Sequence, residues 1–423
     1  MALLLTLISI VLCYFSPAEV VPKLAPYHIQ YFIVIPALVT SITVFISRPG
    51  GFQFPQAALM VGFWFAVVAS LLSRGWLRAS LYGFIEFGLT VCIYFLVSIN
   101  AFSLPRIKNF CRVIIACAVF MSIQAIFAYH TGYLADKLLI ERTTLGVITD
   151  KRVCGYGVLH DPNDFAQFLL VALAFLGLAW KSENYLRDLG VVSIPGAILI
   201  YTIYLTASRG AIFGLAAIAL VVVWRRIGFA KAVLAAGVIV VVLVLAQFGG
   251  GRSLSIYEGS AGGRVVAWGS GIADLRSDPL FGVGFGQFTE YNDLTAHNSF
   301  VLCFAELGFF GYFFWLALLI TTVLGLETLA RAPVNGPEDV EFRRYVTTIR
   351  AALYCFLVTS CFLSRTYQET LYILLALGAV LIYQRRPTVP ELSIPMLRWV
   401  PLTVVIQLVS VVAIYALIRI RNL

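Results

Sequence analysis

Long apolar runs, separated by short polar connectors, make up nearly the whole chain. A helix needs about 20 such residues to cross the hydrocarbon core of a bilayer. Runs of that kind fall near 2–15, 28–46, 56–72, 80–98, 109–129, 163–180, 190–207, 210–224, 230–248, 298–325, 346–363, 369–383 and 398–418. They predict an all-α polytopic membrane protein of about 12–14 transmembrane helices. Helices follow because a lone strand cannot satisfy its backbone in lipid, and the runs are too long and too uniformly apolar for barrel strands. The pattern shows neither an internal repeat nor a soluble stretch, so 1–423 reads as a single polytopic membrane domain. No basic residues precede the first run and no small-residue cleavage site follows it, so it reads as an uncleaved first span.

The longest polar interruption begins at Gly249 and runs through Ala296-His297-Asn298-Ser299 into the next apolar run. A long loop fixed at both ends to a rigid scaffold is where function is expected. Inside it, Val265, Trp268, Ile272 and Leu275 recur at helical spacing until Asp278-Pro279 ends the pattern. This predicts a short amphipathic helix lying on the membrane surface.

Composition confirms the class. The chain is 61% hydrophobic and 12% charged, against about 25% charged in an average soluble domain. A net charge of +9 would suggest nucleic acid in a soluble protein. Here the cations sit mostly in short connectors, which argues for topology and against a nucleic-acid partner. Arg106, Lys108, Arg112, Lys181, Arg187, Arg225, Arg226, Lys231, Arg343, Arg344, Arg350, Arg385 and Arg386 share one side, expected to be cytoplasmic. Loops 130–162 and 249–297 then fall outside. Arg74 and Arg78 resist this scheme, and so do Arg419 and Arg421 with thirteen spans. All four histidines (His28, His130, His160, His297) map to the outer face, with spacings that match no metal-ligand motif. The eight cysteines lack a CxxC pair and read as small packing residues.

Several polar groups could carry chemistry. In Thr206-Ala207-Ser208-Arg209-Gly210, Arg209 is either a snorkelling interfacial cation or a planar fork for phosphate oxygens. Arg264 follows Gly262-Gly263 at the start of the amphipathic pattern. Gly282-Val283-Gly284-Phe285-Gly286 reads as a flexible turn in preference to a phosphate cradle, since no strand precedes it and no Gly-Lys-Ser/Thr follows. His297 opens the next span, with Asn298 beside it and Tyr291 upstream. In His160-Asp161-Pro162-Asn163-Asp164, Asp161 and Asn163 could cap a helix or touch a sugar. Glu86 and Glu306 lie within apolar runs, and Glu306 reads as a helix-packing partner too deep to share an atom with His297.

The combination resembles the membrane O-antigen ligases and the related O-antigen and exopolysaccharide polymerases. The likeness is carried by SRGAIFGL (Ser208 to Leu215), Arg264-x-x-x-Trp268, DPLFGVGFGQF (Asp278 to Phe288) and HNSFVLCFAELGFFG (His297 to Gly311), a core of about 190–325 that includes loop 249–297. The resemblance implies a GT-C-like fold with a large periplasmic loop carrying short amphipathic helices, in the bacterial inner membrane. It implies a glycan donor on undecaprenyl diphosphate, a lipid A-core or lipid-linked glycan acceptor, and no cofactor or metal. Carried over by motif, Arg209 and Arg264 would hold the diphosphate and His297 would be the catalytic histidine. Asp161, Asn163, Tyr291 and Asn298 are further substrate-binding candidates. Apolar spans around the loop would admit the polyprenyl tail from the membrane lipids. The apolar segment after 385 leaves ligase and polymerase open. From another class, a transporter or flippase would also show many spans, though paired broken helices in matching halves are missing here.

Overall fold

The computed structural model describes residues 1–15, 23–24, 29–47, 53–144, 147–180, 185–250, 259–393 and 395–421; His28 and Lys181 lie outside them. In chain order the elements are α1 (Ala2–Tyr14), α2 (Ile29–Ser47), α3 (Gln56–Leu72), α4 (Leu77–Asn100), α5 (Leu104–Thr131), β1 (Leu139–Thr144), β2 (Val147–Val153), α6 (Pro162–Phe175) and α7 (Ile194–Leu205). They continue with α8 (Arg209–Ile227), α9 (Phe229–Leu245), α10 (Gly259–Ser277), α11 (Ser299–Arg331), α12 (Pro337–Ser360), α13 (Glu369–Arg385) and α14 (Met396–Arg421).

The protein is an all-α polytopic membrane protein, 80% helical. Every apolar run named above falls on one of these helices or their short extensions. Among the described residues six helices are long and apolar enough to cross a membrane: α2, α4, α5, the stretch Tyr185–Leu205 that ends in α7, α11 and α14. Shorter apolar helices are α1, α3, Pro162–Leu178, Arg209–Trp224 and α9. One element is absent from the hydropathy pattern. Within 130–162, β1 and β2 pair antiparallel with Leu139 opposite Val153 and Ile140 opposite Arg152. The strands are short and rich in β-branched residues, a signal easily lost between long helical runs.

The chain divides into two compact units. The first comprises Met1–Arg48, Ile99–Arg252 and Val334–Thr359. Polar side chains tie its helices where apolar packing alone gives little specificity in lipid. The Asn100 amide donates to Thr6 on α1 (3.2 Å) and to Ser41 on α2 (2.8 Å). Gln167 on α6 donates to Thr359 Oγ1 on α12 (2.7 Å) and to the Phe356 carbonyl (3.1 Å).

The second unit comprises Pro49–Ser98, Ser253–Pro333 and Ser360–Leu423. At its centre is α13, in which every residue from Thr370 to Ile382 is buried. Glycines let α11 approach it closely: a Cβ at Gly325 or Gly378 would collide with Ile382 or Thr322 respectively. In contrast α14 presents Val405, Leu408, Val409 and Val412 outward, as a lipid-facing helix does. It runs antiparallel to α11, with Trp399 by Phe313 and Gln407 donating to the Phe309 carbonyl (2.7 Å). The Ser410 hydroxyl meets the Tyr312 hydroxyl at 2.8 Å, which adds a polar tie to this lipid-facing helix.

A backbone clamp closes this unit around α11. At Gly308 (φ 60°, ψ −166°) the backbone of α11 leaves the helical region, and the segment after α10 closes against the break. Phe309 and Phe310 donate their N–H groups to the carbonyls of Pro279 (2.8 Å) and Leu280 (3.0 Å). In return Val283 and Gly284 donate to the carbonyls of Ala305 and Glu306, each at 2.9 Å. The two backbones approach so closely that a Cβ at Gly308 would collide with the Leu280 main chain, and one at Gly282 with that of Glu306. The Glu306 carboxylate completes the closure. It accepts the Phe288 N–H (3.1 Å) and the Tyr367 hydroxyl (2.7 Å). Burial, and then the neighbouring Glu306 carboxylate, hold the Tyr367 phenol well above its ordinary range, so it is the donor. The Gly282–Gly286 segment is therefore neither a flexible turn nor a phosphate cradle, because its amides are spent inside the protein: Val283 and Gly284 on α11, Gly282 on the Asp278 carbonyl and Phe285 on Ser70 Oγ. Glu306 binds a loop where helix packing was expected.

Two outcomes follow from the clamp. Gly308→Ala meets both the left-handed backbone and the Leu280 main chain, and should lower stability by about 2–4 kcal/mol. Tyr367→Phe removes the phenol's hydrogen bond to the buried Glu306 side chain and should cost about 1–3 kcal/mol. Denaturation midpoints of the purified protein in detergent check both, and an unchanged Gly308→Ala midpoint would contradict the clamp.

Candidate functional site

The second unit gathers several of the candidate residues at the N-terminal end of α11. Asn298 caps that helix, its Oδ1 accepting the N–H groups of Phe300 (2.9 Å) and Val301 (3.3 Å). This use commits the Asn298 Oδ1 to the helix. His297 precedes the cap with φ 47°, in the left-handed region. Histidine tolerates that region better than most residues, yet it still needs outside support. Ser364 provides it, because its Oγ accepts the His297 N–H (2.8 Å) and the Thr295 hydroxyl (2.7 Å).

The connector between α12 and α13 is stitched on by further bonds. The buried Ser299 donates to the Leu363 carbonyl (2.6 Å) and accepts the Arg365 N–H (2.8 Å). Thr366 donates to the Ser299 carbonyl (2.7 Å), and Tyr372 in turn to the Thr366 carbonyl (2.7 Å). Ser364, Arg365, Thr366 and Tyr367 escaped the sequence reading. They sit in a short connector, and Ser364 lies 67 residues beyond His297. Only the run of polar residues between two apolar spans could have drawn attention to them. Arg365 also lies within electrostatic reach of Glu369.

The predicted amphipathic helix is α10, which begins at Gly259, ahead of the first residue of its pattern, and ends at Ser277. It buries Ala267, Ile272 and Leu275. The Trp268 indole donates to the Ala296 carbonyl at 3.0 Å, next to His297. Arg264 stands one turn before Trp268, on the same side of the helix, about 6 Å along its axis. Arg264 and His297 are thus brought to one region by one hydrogen bond. Farther along α10, Asp274 accepts from Asn292 at 3.1 Å, and Asn292 also donates to the Phe288 carbonyl (2.9 Å). Burial raises the Asp274 carboxyl above the ordinary range, against the pull of Asn292 and Arg74. Tyr291, in the short helical turn Phe288–Tyr291, is exposed.

The first unit gathers the rest. Ala207 (φ 50°) turns the chain from α7 into α8, which Arg209 opens. The stem of Arg209 lies against Gly249, where a Cβ would stand 2.8 Å from Arg209 Cγ. Asp161 is the N-cap of α6 and accepts from the N–H groups of Asn163 (2.8 Å) and Asp164 (3.4 Å) and from the Asn163 amide (3.0 Å). Asn163 Oδ1 accepts from Arg152 at 3.2 Å, and Arg152 also donates to the Thr206 carbonyl at 2.8 Å. Arg152, buried on β2, therefore links the Asp161 cap to the turn before Arg209. The sequence reading missed it with the hairpin that carries it. Of the other histidines, His130 pairs with the Tyr201 hydroxyl (2.9 Å) and His160 lies 3.7 Å from Cys154 Sγ.

No curated protein matches the chain. Residues 194–316 match the O-antigen ligase family. The matched stretch holds Arg209, Arg264, Tyr291, His297, Asn298 and Glu306, while Asp161, Asn163, Arg152 and Arg365 lie outside it. The stretch 194–316 is thus similar to the O-antigen ligase family, and it lies within an all-α polytopic membrane protein.

Proposed function

We propose that the protein is a membrane glycosyltransferase of the O-antigen ligase type. It would move a glycan from an undecaprenyl-diphosphate-linked donor onto a lipid A-core or glycan acceptor, at the periplasmic face of the bacterial inner membrane. One observation carries this reading: the Trp268–Ala296 hydrogen bond sets the Arg264 helix beside His297, inside the stretch that matches the family.

In the proposed reaction an acceptor hydroxyl attacks the anomeric carbon as the bond from that carbon to the diphosphate oxygen breaks. The diphosphate leaves with the electron pair, and the hydroxyl proton passes to the His297 imidazole. A neutral imidazole suits this role because its ordinary pKa lies near physiological pH. Arg264 and Arg209 are assigned to the diphosphate, where guanidinium groups stabilise the charge that grows on departure. The leaving group needs charge stabilisation more than protonation, so the proposed step uses no metal. Attack opposite the diphosphate inverts the anomeric carbon.

His297→Ala should abolish glycan product while the protein still inserts in the membrane, and Arg264→Lys should lower the rate by about 10²–10³-fold. Glycan transfer by purified variants in detergent checks both. Product formed there, with no bilayer dividing donor from acceptor, is a result that a transporter could not give. In a deletion strain, loss of all attached glycan supports the ligase reading, whereas single repeats left on the core indicate a polymerase. Ser364→Ala should reduce kcat about tenfold with donor KM unchanged, because it frees the left-handed backbone of His297; a steady-state comparison with wild type measures it.

A further inference from the structure

At the His297 end of the second unit, two cations converge on one phenol. The Arg276 guanidinium, in the last turn of α10, lies 5.2 Å from the centre of the Tyr415 ring. That of Arg419, one turn beyond Tyr415 on α14, lies 5.3 Å from the same centre, and its Nε donates to the Tyr415 hydroxyl at 2.9 Å. Neither arginine forms an ion pair among the described residues. Both are exposed. Each guanidinium lies against the same ring, so an anion placed beside that ring is attracted by both.

The surface beside them indicates what kind of anion. Val405, Leu408, Val412, Tyr415 and Arg419 recur at intervals of three and four residues, so they share one face of α14. Val405, Leu408 and Val412 are exposed by 52–63%. An apolar stripe therefore leads up to the paired guanidiniums. A free anion has no use for that stripe, whereas a hydrocarbon chain fits along it with its headgroup at the cations. Because α14 runs antiparallel to α11, this end of α14 lies toward the N-terminal end of α11.

We propose that Arg276, Tyr415 and Arg419 form a binding site for the phosphate headgroup of an anionic membrane lipid, whose acyl chain lies along the outer face of α14. The site does not depend on the transfer reaction. It also accounts for Arg419, a cation at the end of α14 that the positive-inside pattern does not explain.

The full-length protein, purified in detergent, is titrated with phosphatidylglycerol, phosphatidylcholine and inorganic phosphate, and bound lipid is counted by native mass spectrometry. Wild type should retain phosphatidylglycerol over phosphatidylcholine. The double variant Arg276→Gln/Arg419→Gln should weaken that retention about tenfold or more. Arg276→Lys/Arg419→Lys, which keeps the charge, should restore most of it, and Arg78→Gln/Arg398→Gln, which alters exposed arginines elsewhere, should leave it unchanged. Equal retention of the two lipids by wild type would overturn the proposal. So would displacement of the lipid by millimolar inorganic phosphate, or a double variant that binds as wild type does.

Discussion

The second unit depends on a helix that is broken and then closed by its own side chain. At Gly308 the main chain of α11 turns out of the helical region, which strands N–H and C=O groups at membrane depth. Lipid cannot satisfy such groups, so an irregular backbone survives there only when protein surrounds it. The segment after α10 meets this need with four main-chain hydrogen bonds. Glu306 then fixes the far end of that segment through Phe288. A carboxylate inside an apolar helix is costly unless it is hydrogen-bonded, and here the cost is offset by the donors it collects.

The rigidity of this closure is what makes the His297 turn usable. The turn is held from three directions: Asn298 caps α11, Ser364 fixes the histidine backbone, and the Trp268 indole grips Ala296. Tyr367 belongs to the same connector as Ser364 and reaches Glu306, so the clamp and the turn share a support. Positioning of this kind suits a reaction whose demands are orientation and charge stabilisation.

Two exceptions to the positive-inside pattern find structural explanations. Arg74 donates to the Gly282 carbonyl at 3.0 Å and lies 3.5 Å from Asp278. It therefore serves the clamp, and its charge is balanced locally. Arg419 is held by Tyr415. A topology rule that counts cations cannot separate those that face the cytoplasm from those already committed to a partner.

The sequence by itself determined the class, the helices and the stretch that carries the family likeness, because hydropathy over twenty residues is a local property that lipid imposes directly. It also located α10 and its end at Asp278-Pro279 from spacing alone. It could not determine which polar residues are committed to structure. Asp161 and Asn298 proved to be helix caps, Glu306 a loop anchor, and the Gly282–Gly286 segment one side of a backbone clamp. Ser364, Arg365 and Arg152 entered only with the tertiary structure. Their roles rest on contacts between residues far apart in the chain, and nothing in a local pattern records which distant carbonyl or hydroxyl a side chain will meet.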